Sequence, residues 1–200
     1  MKRLIDLLLG IVALIIAMPF VVIIVLLIKF TSKGPVLFKQ RRIGLNRKEF
    51  YILKFRTMYK NTPANVPTHM LDKPDAFITP LGKFLRKTSL DELPQLLNIL
   101  KGDMSLVGPR PALYNQEDLI SLREQVDVHK MRPGLTGWAQ INGRDELEIP
   151  VKVEYDRYYV EHWSLWLDLK IIALTLVGVL RRKGVVEGRQ TAKIDVEHKS

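Results

Sequence analysis

The chain has 200 residues, 31 Lys and Arg against 21 Asp and Glu for a formal charge of +10, and 47% hydrophobic residues, which fits one compact domain plus a membrane element better than two independent domains. It has no cysteine, so a disulfide framework, thiolate chemistry and a Cys-type zinc site are excluded. The basic excess calls for an anionic partner, whether nucleic acid, an acidic membrane surface or a phosphorylated substrate; nucleic acid is set aside because no zinc-finger spacing or RNP-type motif occurs and the cations are dispersed among apolar residues.

Residues 4–28 are apolar apart from Asp6, Gly10 and Pro19, a run longer than the roughly 20 residues that cross a bilayer core. A cleaved signal peptide does not fit, because Lys29-Phe30-Thr31-Ser32-Lys33 follows directly in place of a small-residue cleavage site. Lys2 and Arg3 precede the run and Lys29 and Lys33 follow it, so both ends read as cytoplasmic. Pro19 removes a helical hydrogen bond in mid-run and bends the axis. The pattern predicts a helix that enters the membrane, turns near Met18-Pro19 and leaves by the same face, with a straight span as the alternative.

Ser32-Lys33-Gly34-Pro35 reads as a turn, followed by a short strand over 36–40 and the basic cluster Lys39, Arg41 and Arg42. A second strand is predicted over 49–57, its alternation placing Lys54 and Arg56 on the face of Ile52, with Tyr51, Leu53 and Phe55 opposite. Residues 60–80, with Pro63, Pro67, Pro74 and Pro80, read as a long loop. A capped helix is predicted over 89–102: Ser89 and Glu92 match a capping box, Leu93, Leu96, Leu97 and Leu100 form a stripe, and Gly102 suits the stop. Another helix is predicted over 115–127, then a glycine-punctuated stretch over 132–144. A final helical pattern over 165–182 is either interfacial, with Arg181, Arg182 and Lys183 facing acidic lipid, or an ordinary docking helix. These elements divide the chain into a membrane helix (1–30), a catalytic domain (31–164), a C-terminal helix (165–183) and a polar tail (184–200).

Asp91 and Glu92 adjoin at a helix start, where acids simply complement the helix dipole in many proteins. Their company argues for more: Lys54, Arg56, Arg86, Lys87, Arg110, Arg132 and Arg144 come from separate segments ending in turns, as a phosphate pocket requires. A carboxylate at a helix start is held ionised near pH 7 by the helix dipole and by nearby cations, and is available as a nucleophile or magnesium ligand. Attack on an anionic diphosphate calls for a divalent cation, and magnesium suits one or two carboxylates plus phosphates. Arg110 lies between Pro109 and Pro111, which restricts its backbone. The glycines at 134, 137 and 143 match neither a P-loop nor a Rossmann fingerprint. Asp156 and Asp168 are candidate acids behind the site, Asp156 counting with the substrate-binding set. The four histidines show no metal-ligand spacing.

Four motifs occur in order: Lys54-Phe55-Arg56-Thr57-Met58, Ser89-Leu90-Asp91-Glu92-Leu93-Pro94-Gln95, Gly102-Asp103-Met104-Ser105-Leu106-Val107-Gly108-Pro109-Arg110-Pro111, and Arg132-Pro133-Gly134-Leu135-Thr136-Gly137-Trp138-Ala139-Gln140. With them the chain resembles the bacterial sugar transferases, the small monotopic phosphoglycosyl transferases. The resemblance implies a small α/β catalytic domain on the cytoplasmic face of the bacterial inner membrane, a re-entrant helix broken near its proline, and interfacial helices. It implies that Asp91 attacks the β-phosphate of a UDP-sugar and releases UMP, and that undecaprenyl phosphate resolves the aspartyl phosphosugar. Magnesium at Asp91 would assist, Glu92 would orient or deprotonate, and Lys54, Arg110, Arg132 and Arg144 would hold phosphates or nucleotide. Residues 111–116 look like capsule-type enzymes that use N-acetylated 6-deoxy sugars, which points to capsule, O-antigen or glycoprotein glycan synthesis; galactose and diacetylbacillosamine remain alternatives. Met18 stands before Pro19 where relatives often carry Ser. Membrane lipids are expected partners, nucleic acid is not, and the oligomeric state stays open, a homodimer included. Rival readings are a magnesium-dependent diphosphate hydrolase and a non-catalytic membrane scaffold.

Overall fold

The computed structural model describes residues 1–60, 62, 74–143 and 147–180. Helix α1 (Lys2–Thr31) runs through Pro19 without interruption. Its inward positions Asp6, Gly10, Ala17, Ile24 and Ile28 recur at steps of four and seven, one stripe along the whole length. Ala17 meets Phe50, Ile52, Leu96, Ile99 and Met104, while Ile24 and Ile28 meet Phe55 and Leu85. At Gly10 a side chain would press on Leu100, so the small residue lets α1 approach the helix below. The outward face stays apolar and open, with Phe30 85% exposed, and Pro19 lies on it. The expected turn at Met18-Pro19 is therefore not a break in the helix.

Strands β1 (Leu37–Ile43) and β2 (Glu49–Phe55) form an antiparallel hairpin with Leu37 opposite Phe55 and Ile43 opposite Glu49. β1 runs three residues further than expected, through the basic cluster, and β2 stops two residues earlier. In the region expected to be loop, 61 and 63–73 lie outside the described residues, and the remainder up to residue 80 is not all loop. A helical turn α2 (Pro74–Phe77) leads to α3 (Pro80–Lys87), which starts on a proline where the missing N–H costs nothing. Thr79 caps it, accepting from Gly82 N.

The expected capped helix differs at its start. Ser89 takes left-handed geometry (φ 57) and makes no cap, Leu90–Glu92 is a 3-10 turn, and α4 (Gln95–Lys101) begins after Pro94. A proline at 94 cannot donate inside a helix begun at Ser89, so the α-helix starts only after it. Gly102 ends α4 at φ 102, as expected. Strand β3 (Ser105–Val107) comes next, then α5 (Glu117–Gln125), and β4 (Gly134–Thr136) returns parallel to β3. Gly108 and Gly134 cross so closely that a Cβ on Gly134 would sit 2.1 Å from the Gly108 nitrogen, which explains these glycines as packing devices. The chain closes with α6 (Trp138–Ile141), α7 (Ile149–Glu161) and α8 (Leu165–Leu180). α7 has no counterpart among the predicted elements. α8 buries Ile171 against Val107 and Tyr159, yet leaves Trp166 77% exposed; 181–183 lie outside the described residues.

Candidate active site

Leu90 and Leu93 flank the two acids and pack into the cluster of Ile28, Phe55 and Leu85. Burying those leucines pins the 3-10 turn and turns Asp91 and Glu92 toward β2. Lys54, at the end of β2, places Nζ 2.7 Å from Glu92 Oε1 and 3.9 Å from Asp91 Oδ2. Arg110, after β3, donates through Nη2 to the same Glu92 oxygen at 3.2 Å. Arg86, in the last turn of α3, donates through Nε to Thr57 Oγ1 at 2.8 Å and lies near enough to act on Asp91. Three cations from three segments thus converge on the acid pair.

The two carboxylates are held differently. Burial disfavours charge on Glu92, but Lys54 and Arg110 outweigh it by charge and hydrogen bond and hold the group well below the usual carboxylate range. Asp91 is 7% exposed, and among the described residues its carboxylate has the loose Lys54 contact and accepts no hydrogen bond. Burial, reinforced by the Glu92 charge, pushes it up to about 6, against the pull of Lys54, Arg86 and Arg110. It is mostly ionised at pH 7, but because the cations lower a value that burial has raised, and not because of an α-helix dipole. A buried, ionised, weakly bonded carboxylate keeps its lone pairs for an electrophile or a cation.

The other expected site residues part company. Arg56 is buried and donates through Nη2 to the Ser32 carbonyl and Oγ at 2.8 and 2.6 Å, tying the end of α1 to the end of β2. Its guanidinium is thus engaged at the end of α1, while the Lys54 ammonium meets Glu92. Arg132 donates through Nε to the Gly102 carbonyl at 3.0 Å, at the far end of α4 from Asp91. Arg3 covers the Ile99 and Leu100 carbonyls there. Asp156 is 1% exposed, and its Oδ2 accepts from both Nε and Nη2 of Arg123, at 2.9 and 2.5 Å. Arg144 lies outside the described residues. Arg123 is a residue that sequence reasoning misses; its one signal is a cation four residues after Leu119 and three after Ile120, on the apolar face of α5.

No group of three or more metal-ligating side chains occurs among the described residues. An all-protein magnesium cage is thus not what these side chains build. One carboxylate with unengaged oxygens, Asp91, fits a magnesium ion that draws its other ligands from substrate phosphates and water.

The fold and the site together define a mixed α/β domain with a long apolar helix laid along it and an acid pair met by lysine and arginine. The model of the bacterial sugar transferase family matches residues 1–182, and the chain belongs to that family. It is 44% identical over 189 residues to the UDP-glucose:undecaprenyl-phosphate glucose-1-phosphate transferase of Xanthomonas campestris pv. campestris, covering 91% of this chain and 39% of that one. It is 42% identical over 197 residues to the sugar transferase EpsL of Bacillus subtilis (strain 168), covering 98% and 94%. It is 39% identical over 197 residues to the exopolysaccharide production protein ExoY of Sinorhizobium fredii, covering 92% and 87%. The chain therefore spans about two fifths of the Xanthomonas relative and nearly all of EpsL.

Proposed function

We propose that this protein transfers a sugar-1-phosphate from a UDP-sugar to undecaprenyl phosphate, with Asp91 as nucleophile. The observation that carries the reading is the buried Asp91 carboxylate, without a hydrogen bond among the described residues and encircled by Lys54, Arg86 and Arg110. Its oxygen attacks the phosphorus that bears the sugar. The bond from that phosphorus to the bridging oxygen breaks, and UMP leaves with the electron pair. An oxygen of undecaprenyl phosphate then attacks the same phosphorus, releasing the lipid diphosphate sugar and restoring the carboxylate. Lys54 and Arg110 hold Glu92 in place and offset the growing negative charge, the largest obstacle to attack by an anion. Magnesium, held by Asp91 and the diphosphate, would supply further charge neutralisation.

Two donor readings rest on different observations. Residues 111–116 favour an N-acetylated 6-deoxy sugar, in capsule, O-antigen or glycoprotein glycan synthesis, while the relatives' names favour glucose. The membrane reading is re-entry from the cytoplasmic face of the bacterial inner membrane, with 31–164 as the catalytic domain, 165–183 as a helix at the lipid surface and 184–200 as a polar tail. Support comes from both ends of α1 being held by one domain: Lys2 by Asp168 and Tyr159, and Ser32 by Arg56. Cysteines at positions 2 and 33 should label from the same side; opposite sides would establish a straight span.

The functional test is UMP release by the purified protein with magnesium and a panel of UDP-sugars, with and without undecaprenyl phosphate. A stoichiometric burst without lipid is the expected result. Release that strictly needs lipid would replace the covalent intermediate with direct transfer. Sugar phosphate appearing in water would make the protein a hydrolase, full activity in Asp91→Asn would remove Asp91 as the nucleophile, and a protein that releases no UMP from any donor would leave the scaffold reading.

A further inference from the structure

Arg110 sits on a strap whose four consecutive carbonyls are held by three other parts of the chain, β4, α5 and β1. Pro109 O accepts from Gly134 N at 2.9 Å. Arg110 O accepts from Arg123 Nη1 at 2.8 Å. Pro111 O accepts from Arg42 Nη1 at 2.9 Å, and Ala112 O accepts from Ile43 N at 3.0 Å. The prolines at 109 and 111 have no N–H to pair and fix two φ angles. Arg110 itself contributes one backbone carbonyl and one guanidinium, the latter on Glu92.

Of these four anchors, the one at Arg110 is built from a buried ion pair. Arg123 and Asp156 are 2% and 1% exposed. Burying two charges is unfavourable unless geometry and hydrogen bonds repay it, and apolar residues of similar volume commonly serve stability as well or better. Here the guanidinium does what no apolar residue can. Its Nε–Nη2 edge is locked on Asp156, which aims Nη1 at the Arg110 carbonyl. Arg123 comes from α5 and Asp156 from α7, packed together through Leu119, Ile120 and Val153, so the hydrogen-bond donor is carried by two helices and not by the strap it holds.

We infer that Arg123 and Asp156 are positioning residues for the transfer reaction: the pair fixes the Arg110 backbone, and through it the guanidinium that meets Glu92 and the transferring phosphate. This role rests on the transferase function. It also places Asp156 behind the site and not on the substrate, since its carboxylate is buried and its Oδ2 accepts from Arg123. A misplacement of about 1 Å in such a group lowers rate by up to about a hundredfold.

The test uses Arg123→Lys and Asp156→Asn in the whole chain in membrane-mimetic nanodiscs, following UMP release from the best UDP-sugar. Lysine keeps the charge beside Asp156, so the fold is retained, but it lacks the planar fork that reaches carboxylate and carbonyl together. The expected result is a tenfold to hundredfold fall in kcat with little change in KM for both variants, with a thermal midpoint near that of the unsubstituted protein for Arg123→Lys and a lower one for Asp156→Asn, which leaves a buried guanidinium without its counter-charge. The deciding measurement repeats each substitution in an Arg110→Ala background. If the pair acts through Arg110, it has nothing left to position there, and the second substitution changes the rate by less than about twofold. Effects that multiply in that background, or a kcat that falls only in step with the folded fraction, overturn the inference while leaving the transferase reading intact. An unsubstituted protein that releases no UMP from any donor overturns the transferase reading, and this role with it.

Discussion

The two ends of α4 carry similar residues put to opposite uses. Before its N-terminus, Lys54, Arg86 and Arg110 face a carboxylate pair, and the member that stays weakly bonded is Asp91. At its C-terminus, Arg3 and Arg132 cover the last carbonyls, where the helix dipole welcomes positive charge. The cations at the end of the helix donate to backbone carbonyls, whereas Lys54 and Arg110 meet the carboxylates themselves. Arg132 and Arg110 thus reach different acceptors, the Gly102 carbonyl and the Glu92 carboxylate.

The largest test of that contrast is Asp91→Asn. UMP release is expected to fall on the order of a thousandfold or more, as for other removed nucleophiles. The same variant should be more stable at pH 7.5. Because the folded value lies near 6 against 3.8 in the open chain, the fold binds this proton more tightly, and the ionised group opposes folding above pH 6 by up to about 3 kcal/mol. That gain should shrink between pH 6 and 4 and be gone below pH 4, read as the difference in thermal midpoint between variant and parent. A variant no more stable than the parent at pH 7.5 would show that Asp91 is satisfied where it sits.

Next in size, Arg110→Ala should lower kcat/KM about a hundredfold while moving the thermal midpoint little, since its head group is partly exposed. Third, kcat/KM should fall about tenfold on acidification from pH 7.5 to 5, as a group near 6 becomes about nine-tenths protonated; a flat profile would remove Asp91 as the titrating nucleophile. Arg132→Ala should give the smallest effect on chemistry, within about twofold, but lower the midpoint by about 2–4 °C through the lost bond to Gly102. If Arg132→Ala instead matched Arg110→Ala, the distinction between the two ends of α4 would collapse.

That Lys54 and Arg110 meet the acid pair is legible in the sequence, because each is a charged residue in a short motif and a cluster of acids attracts cations from other segments. Helix α1 is legible there as a membrane segment but not as a packed one: its inward stripe of Ala17, Ile24 and Ile28 is invisible when the outward face is equally apolar. Strand β4 is not legible, since three residues cannot display a period. The capping signal at Ser89 misleads because the local pattern takes no account of Pro94, which moves the helix start to Gln95.

Residue type and short spacing are enough to settle which residues bear charge, where the lipid-seeking helix lies and which acids stand next to each other. How each guanidinium is used is settled by packing. Arg56 finds Ser32, Arg132 finds Gly102, Arg123 finds Asp156 and the Arg110 carbonyl, and Arg110 finds Glu92. An arginine side chain is long and carries five donors, so several acceptors lie within reach of its position in the chain, and only the tertiary arrangement brings one of them into range.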